Sequence, residues 1–273
     1  MLRFVSLGSG SSGNCYLLVA ATEGLIIDVG IGLRTLKKYF REYGLSLGSV
    51  KNILITHDHA DHIKSVGTMS SEFNLPVYAT REVHAGIERN YCVQKKVCKD
   101  NVRYIEKGKS FKLGPFEITP FGVPHDSADN VGYRIVYDET VFCLITDAGS
   151  VTEEMEAQIK EANYLVLEAN YDSDMLENGS YPPYLKRRIA SGTGHLSNAV
   201  CAHVLSENMT NKLCKVWLCH LSEENNHPEL ARKTVEASLS QKTDIFGCMP
   251  ELVVLKRKTP TGIFELKTKG DLQ

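Results

Sequence analysis

The chain has 273 residues, 42% of them hydrophobic, and a formal net charge of -2 with histidine neutral. This excludes a disordered or fibrous chain and a globally basic nucleic-acid binder; a nucleic-acid substrate would have to be held by local patches and by metal. No apolar run approaches the roughly 18–20 residues of a membrane span, and "MLRFVSLGSGSSGN" has glycine and serine where a signal peptide needs an apolar stretch.

The N-terminus reads as strand, turn, strand, strand: "RFVSL", the tight turn "GSGSSGN", then "CYLLVA" and "GLIIDVG". "LRTLKKYFREYGL" carries apolar residues at helical spacing and ends near Gly44. "VKNILIT" is a buried-type strand, "HIKSVGTMSSEF" a helix, "PVYAT" a strand and "REVHAGIERN" a helix. The middle is strand-rich, with "SFKLGPFEITPFGVPH" and "VGYRIVYDETVFCLITDAG" turning at "LGP" and "YDE". "TEEMEAQIKEA" is a helix capped by Thr152. "YLVLEANYD" is a strand, "SNAVCAHVLSEN" a helix, "KVWLCHLS" a strand and "PELARKTVEASLSQ" a helix opened by proline. "ELVVLKR" and "GIFELKT" read as a closing hairpin. Two groups of strands, each followed by helices and without linker or repeat, predict a single layered α/β domain over residues 1–273. The eight cysteines, Cys15, Cys92, Cys98, Cys143, Cys201, Cys214, Cys219 and Cys248, form no CxxC pair and read as reduced, mostly buried thiols of a cytoplasmic protein.

The polar motifs fall just after apolar strands, where sheet enzymes place their sites. The densest is "ILITHDHADH". If Ile53–Thr56 is extended, His57 and His59 point the same way and can share an ion. Asp61 and His62 follow where the chain turns into a helix, placed for a second ion beside the first. Imidazole with carboxylate and no thiolate suits Zn, Mn or Fe. Further candidates stand singly at strand ends: His125 in "FGVPHDS", Asp147 in "FCLITDAG" and His220 in "VWLCHLS". Each alone is more often structural. With the first cluster they complete a donor set for two ions, which Asp147 can bridge.

HxHxDH followed by single His, Asp and His at strand ends resembles the metallo-β-lactamase superfamily over the whole chain. That resemblance implies a four-layer αββα sandwich. It implies that His57, His59 and His125 hold one metal, that Asp61, His62 and His220 hold the other, and that Asp147 bridges. "SLGSGSSGN", "LEANYD", "GHLSN" and "HLSEENNHPELA" are similar to the YycJ/WalJ (VicX) branch, with PhnP-type phosphodiesterases and tRNase Z more distant. The branch implies 5′-to-3′ DNA exonuclease activity, with a hydroxide shared by the two ions as nucleophile.

His195 follows glycines and opens a helix, a setting that suits an anionic phosphate. The resemblance gives it transition-state stabilisation or leaving-group protonation, with Glu168 orienting it and raising its pKa. Asp61 is counted as catalytic as well as ligating. "SGSSGN" lacks the Walker and dinucleotide fingerprints and reads as a turn whose Ser11, Ser12 and Asn14 contact substrate. Lys186, Arg187 and Arg188 form a candidate backbone clamp, flanked by Tyr181 and Tyr184 for base stacking. Lys95, Lys96 and Lys99 are a second basic run, and His84, His203 and His227 read as structural or exposed.

The expected function is dinuclear-metal-dependent phosphodiester hydrolysis, with DNA the favoured substrate. A small-molecule phosphodiesterase or thioester hydrolase is the enzymatic alternative, and a non-catalytic metal-binding protein the weaker one. No span has the length or composition of the inserted nucleic-acid clamp domain of the larger nucleases, so a substrate channel must come from loops or from a homodimer.

Overall fold

Side-chain alternation sends successive residues of a strand to opposite faces, and here the strands of each sheet are covered on both. The computed structural model describes residues 1–240 and 249–268. The first half runs β1 (Leu2–Gly8), β2 (Cys15–Ala20), β3 (Glu23–Ile27), α1 (Leu33–Glu42) and β4 (Val50–Leu54). It continues with α2 (Ala60–Ile63), α3 (Val66–Phe73), β5 (Val77–Ala79), α4 (Arg81–Arg89) and β6 (Val102–Tyr104). The second half begins with β7 (Phe111–Leu113), β8 (Phe116–Gly122), β9 (Val131–Tyr137), β10 (Thr140–Ile145), α5 (Glu153–Glu161) and β11 (Tyr164–Glu168). Then come α6 (Ser173–Asn178), α7 (Pro183–Ile189), α8 (Asn198–Asn208), β12 (Lys215–Cys219), α9 (Pro228–Ser240), β13 (Glu251–Val254) and β14 (Gly262–Leu266).

Among the described residues these strands form two seven-stranded sheets, ordered β14-β1-β2-β3-β4-β5-β6 and β13-β12-β11-β10-β9-β8-β7. Phe4, Tyr16 and Leu18 from one sheet pack against Tyr133, Phe142, Val166 and Trp217 from the other. The alternate residues face outward. Val5, Leu17 and Ile26 meet Leu36 and Phe40 of α1, Met69 of α3 and Val83 of α4. Cys143, Leu165 and Leu218 meet Met155 of α5, Leu205 of α8 and Val235 of α9. The result is the expected αββα sandwich, the fold class of the metallo-β-lactamases. Truncating an aromatic of the central layer, such as Phe4 or Trp217, to Ala costs about 3–5 kcal/mol.

The closing hairpin is a correction. β13 pairs in parallel with β12, whereas β14 pairs antiparallel with β1, Leu2 opposite Leu266. Residues 255–261 therefore cross between the sheets. Two adjacent apolar strands read as a hairpin from local pattern alone, because the pattern carries no record of which edges await them. The helix read across residues 62–73 is split into α2 and α3, and α6, α7 and β6 were not anticipated. Gln241, read as the last residue of the final long helix, lies outside the described residues, as does Cys248. Thr152 caps α5 as expected, its hydroxyl accepting from the Met155 amide at 3.2 Å. Of the described cysteines, Cys15, Cys143, Cys201 and Cys219 are buried. Among the described residues no helix is long and apolar enough to cross a membrane.

Candidate metal centre

The ends of β4, β10, β11 and β12 build the site. Past β4 the chain stays extended through Thr56 and His57, then turns into the single-turn α2 that carries Asp61 and His62. His57 and His62 are fully buried, while His59 and Asp61 are partly open. The parallel register sets the other side. Ile145 lies opposite Leu167 and Leu167 opposite Leu218, so Asp147 and His220 each follow two residues past this row and Glu168 one, all at the same edge of the sheet. Asp147 and His220, like Asp28 just past β3, have left-handed backbone, with φ of 54, 54 and 62°. Such a conformation costs a non-glycine residue roughly 1–3 kcal/mol and persists only where the surroundings enforce it.

The structure brings the candidate donor atoms together. Ligand atoms of His57, His59 and His125 lie within 4.8 Å of one another, as do those of Asp61, His62 and His220. Asp147 sits between: its Oδ2 is 3.2 Å from His62 Nε2, and its Oδ1 is 3.3 Å from His220 Nδ1 and 3.9 Å from His125 Nε2. His57 Nε2 is buried without a hydrogen-bond partner among the described residues, an orphan that protein chemistry normally forbids. A buried imidazole nitrogen facing two further imidazoles is what a divalent cation satisfies, so the donor set fits such an ion.

Electrostatics point the same way. Burial, then the neighbouring His62, hold the His57 pKa well below the ordinary imidazole value. Burial also opposes charge on His62 and His220. Asp147, Asp28 and Asp61 nonetheless raise His62 well above its ordinary value, and Asp147, Asp61 and Glu168 push His220 up to about 10. Against the cost of burial, His220, His62 and His57 hold the Asp147 carboxyl well below the usual range. The protein alone gathers positive charge around buried carboxylates, the place a metal would take.

Glu168 is fully buried and fully engaged. Its Oε2 accepts from the Ala148 and Leu196 amides at 2.9 and 3.0 Å, and its Oε1 lies 2.9 Å from Nδ1 of both His195 and His220. It orients two imidazoles at once, one more than the sequence reading gave it. Despite burial it raises the His195 pKa. His125 is fixed by the same loop, its Nδ1 lying 2.9 Å from the Gly194 carbonyl.

Some expectations move. Asn14 is buried and faces inward, its Nδ2 lying 3.1 Å from Asp61 Oδ2 and 2.9 Å from His62 Nε2. It supports the donor residues instead of facing solvent, because the turn's exposed corner is Ser11 and Ser12. Arg188 forms a two-pronged ion pair with Asp126, with Nη2 to Oδ1 at 3.1 Å, and Lys186 donates to the Glu177 carbonyl at 2.7 Å. Arg187 and Tyr184 are exposed on α7. In the second basic run, Lys96 donates to the Ile87 and Asn90 carbonyls at the end of α4. His84 lies 3.1 Å from the Arg103 carbonyl, and His227 Nδ1 accepts from the Glu229 amide.

The sequence reading missed Asp28, Ser9 and Asn170. Asp28 Oδ2 is 2.7 Å from His62 Nδ1, and its other oxygen accepts from the Thr56 amide at 2.8 Å. Ser9 Oγ accepts from the His220 amide at 2.9 Å, and Asn170 donates to the His220 carbonyl at 2.7 Å. An aspartate directly after "GLII" was the available signal for the first. The other two depend on contacts between distant segments.

A family model described as a β-lactamase superfamily domain matches residues 25–214. The chain belongs to the β-lactamase superfamily. Exodeoxyribonuclease YycJ of Bacillus anthracis is 34% identical over 262 residues, 96% of this chain and 98% of that protein. Exodeoxyribonuclease WalJ of Streptococcus pneumoniae is 35% identical over 239 residues, 88% of each chain. The likeness to the YycJ/WalJ branch is thus borne out along nearly the full length. Among solved structures, the metallo-β-lactamase fold protein YhfI from Bacillus subtilis aligns with a TM-score of 0.71 at 19% identity, covering 97% of this chain and 100% of that one. This last likeness speaks to the fold.

Proposed function

We propose that this chain is an exodeoxyribonuclease, cleaving DNA from 5′ to 3′ with two divalent ions. The observation that carries the reading is a complete donor set at one sheet edge, in a chain one-third identical along most of its length to relatives named exodeoxyribonucleases. It is an enzyme, a metal-dependent hydrolase of the nuclease or phosphodiesterase kind. His57, His59 and His125 would hold one ion and Asp61, His62 and His220 the other, with Asp147 shared. Zn or Mn suits these ligands best, and Fe fits the same set. Bound there, the ions supply Lewis acidity toward phosphoryl oxygens and lower the pKa of coordinated water.

The chain's own residues do the rest. Glu168 fixes His195 through Nδ1, leaving Nε2 free to meet a phosphate. With its pKa raised, His195 carries a proton that it donates to phosphoryl oxygen or to the departing alkoxide. The partly open Asp61 carboxylate accepts a hydrogen bond from attacking water and aligns it. The exposed face of α7 follows the DNA backbone through Arg187 and Lys186. We read residues 1–273 as one domain, without an inserted clamp, working in the cytoplasm.

The test strips the protein of metal, restores Mn or Zn, and offers 5′-labelled and 3′-labelled DNA beside bis(p-nitrophenyl) phosphate. Metal-dependent shortening of DNA that His57→Ala abolishes is expected. Hydrolysis of the small diester alone overturns the DNA assignment, and no hydrolysis of either by metal-loaded protein overturns phosphodiester chemistry.

A further inference from the structure

The turn "SGSSGN" touches both halves of the metal centre. Ser9 holds the His220 amide, and Asn14 lies against Asp61 and His62. Between these inward residues the turn is closed by Gly13 N donating to the Gly10 carbonyl at 2.8 Å and by Gly10 N donating to Asn14 Oδ1 at 2.8 Å. Ser11 and Ser12 at its corner are exposed. Among the described residues, neither their amides nor their hydroxyls have a hydrogen-bond partner. This corner thus turns Ser11 and Ser12 to solvent, between residues that touch the donor cluster.

Arg257 lies against this corner. It belongs to the crossover between β13 and β14, which the sequence reading had made part of a hairpin. Its carbonyl accepts from Ser9 N at 3.1 Å, and its Cγ is 3.2 Å from where a Cβ on Gly10 would stand. Its Nη1 donates to the Ser222 carbonyl at 3.0 Å, two residues past His220. No carboxylate pairs with it among the described residues. Its neighbour Lys258 is paired with Glu223 at 2.6 Å, and Arg188 across the site is paired with Asp126. Arg257 thus makes no close ion pair of its own, although the exposed Glu223, held by Lys258, lies near enough to feel its charge, and its half-buried stem limits where the guanidinium can reach.

We propose that Ser11, Ser12 and Arg257 form a phosphate subsite of the metal centre, holding a substrate phosphate other than the one cleaved. This rests on the phosphodiesterase reading above. Successive backbone amides form a concavity for an anion, hydroxyls add donors, and a guanidinium matches phosphate oxygens in pairs. The phosphate is either an internal diester of the strand or its terminal monoester.

The test compares wild type, Arg257→Ala, Arg257→Lys and Ser11→Ala/Ser12→Ala, each metal-loaded. Kd and KM are measured on 5′-phosphorylated and 5′-hydroxyl oligonucleotides over a range of salt, with metal content and bis(p-nitrophenyl) phosphate hydrolysis alongside. Arg257→Ala should raise Kd about tenfold and reduce the slope of log Kd against log salt by about one. Its effect on the small diester should be several-fold smaller. Arg257→Lys should recover part of the affinity, and the serine pair should lose about threefold. A loss confined to 5′-phosphorylated DNA assigns the terminal monoester, and an equal loss on both assigns an internal diester. Normal DNA cleavage with an unchanged salt slope overturns the subsite alone. Loss of metal, or equal damage on both substrates, overturns it by making Arg257 a support for the His220 loop. A wild type that neither binds nor cleaves oligonucleotides overturns the nuclease reading and the subsite together.

Discussion

The two halves of the metal centre are assembled differently. The first sheet delivers His57, His59, Asp61 and His62 from one short stretch, where the chain leaves a strand and turns into a single helical turn. The second sheet delivers His125, Asp147, Glu168, His195 and His220 singly, from segments up to 95 residues apart, counting from 125 to 220. Local geometry secures the first set. Parallel strand register secures much of the second, aided by Glu168 and by backbone held left-handed at Asp147 and His220. A dense motif can form as soon as its own few residues fold, whereas the dispersed set exists only once β10, β11 and β12 are aligned.

This contrast can be tested in order of expected effect. Asp147→Ala removes the residue both halves share, so activity should fall about 10³-fold or more, the several kcal/mol a Lewis acid supplies, with metal lost and circular dichroism unchanged. Full metal content with near-normal turnover would sink the shared role. His195→Ala should keep its metal and lose about 10²–10⁴-fold in rate, the share of a positioned acid; metal loss instead would make it a ligand. Glu168→Gln and Asp28→Asn compare the supports of the two halves, and each should cost about 10–100-fold in metal affinity or activity. Because Glu168 serves two imidazoles, its variant should damage rate and affinity together, while Asp28→Asn should damage affinity most. Equal profiles would erase the distinction. Metal uptake must displace protons from His62 and His220, so apparent affinity should rise with pH through the neutral range, with proton release measurable in weak buffer. A flat pH profile would show these imidazoles already neutral. The smallest effect belongs to α7: reversing Lys186 and Arg187 should weaken long DNA severalfold and the small diester hardly at all.

Legibility in the sequence follows the same division. The motif from His57 to His62 was readable because its geometry is local. His125, Asp147 and His220 were readable because each ends an apolar strand, though their convergence was supplied by the family resemblance. A layered α/β class was legible from two groups of strands each followed by helices, while the four-layer sandwich was supplied by the family resemblance. What escaped were facts of tertiary pairing: that β13 and β14 part company, that Arg188 is neutralised by Asp126, and that Ser9 reaches the His220 amide across 211 positions. No window of sequence contains both members of such a pair.

The split of β13 and β14 also bears on biogenesis. β1 precedes every other described strand in the chain, yet its outer neighbour is β14, Leu2 opposite Leu266. Its edge stays open while nearly the whole chain is synthesised, at about 5–20 residues per second. The candidate donor residues, from His57 to His220, all precede β14 in the chain. A chain ending ahead of residue 262 would lack β14 and leave the outer edge of β1 unpaired and open to aggregation.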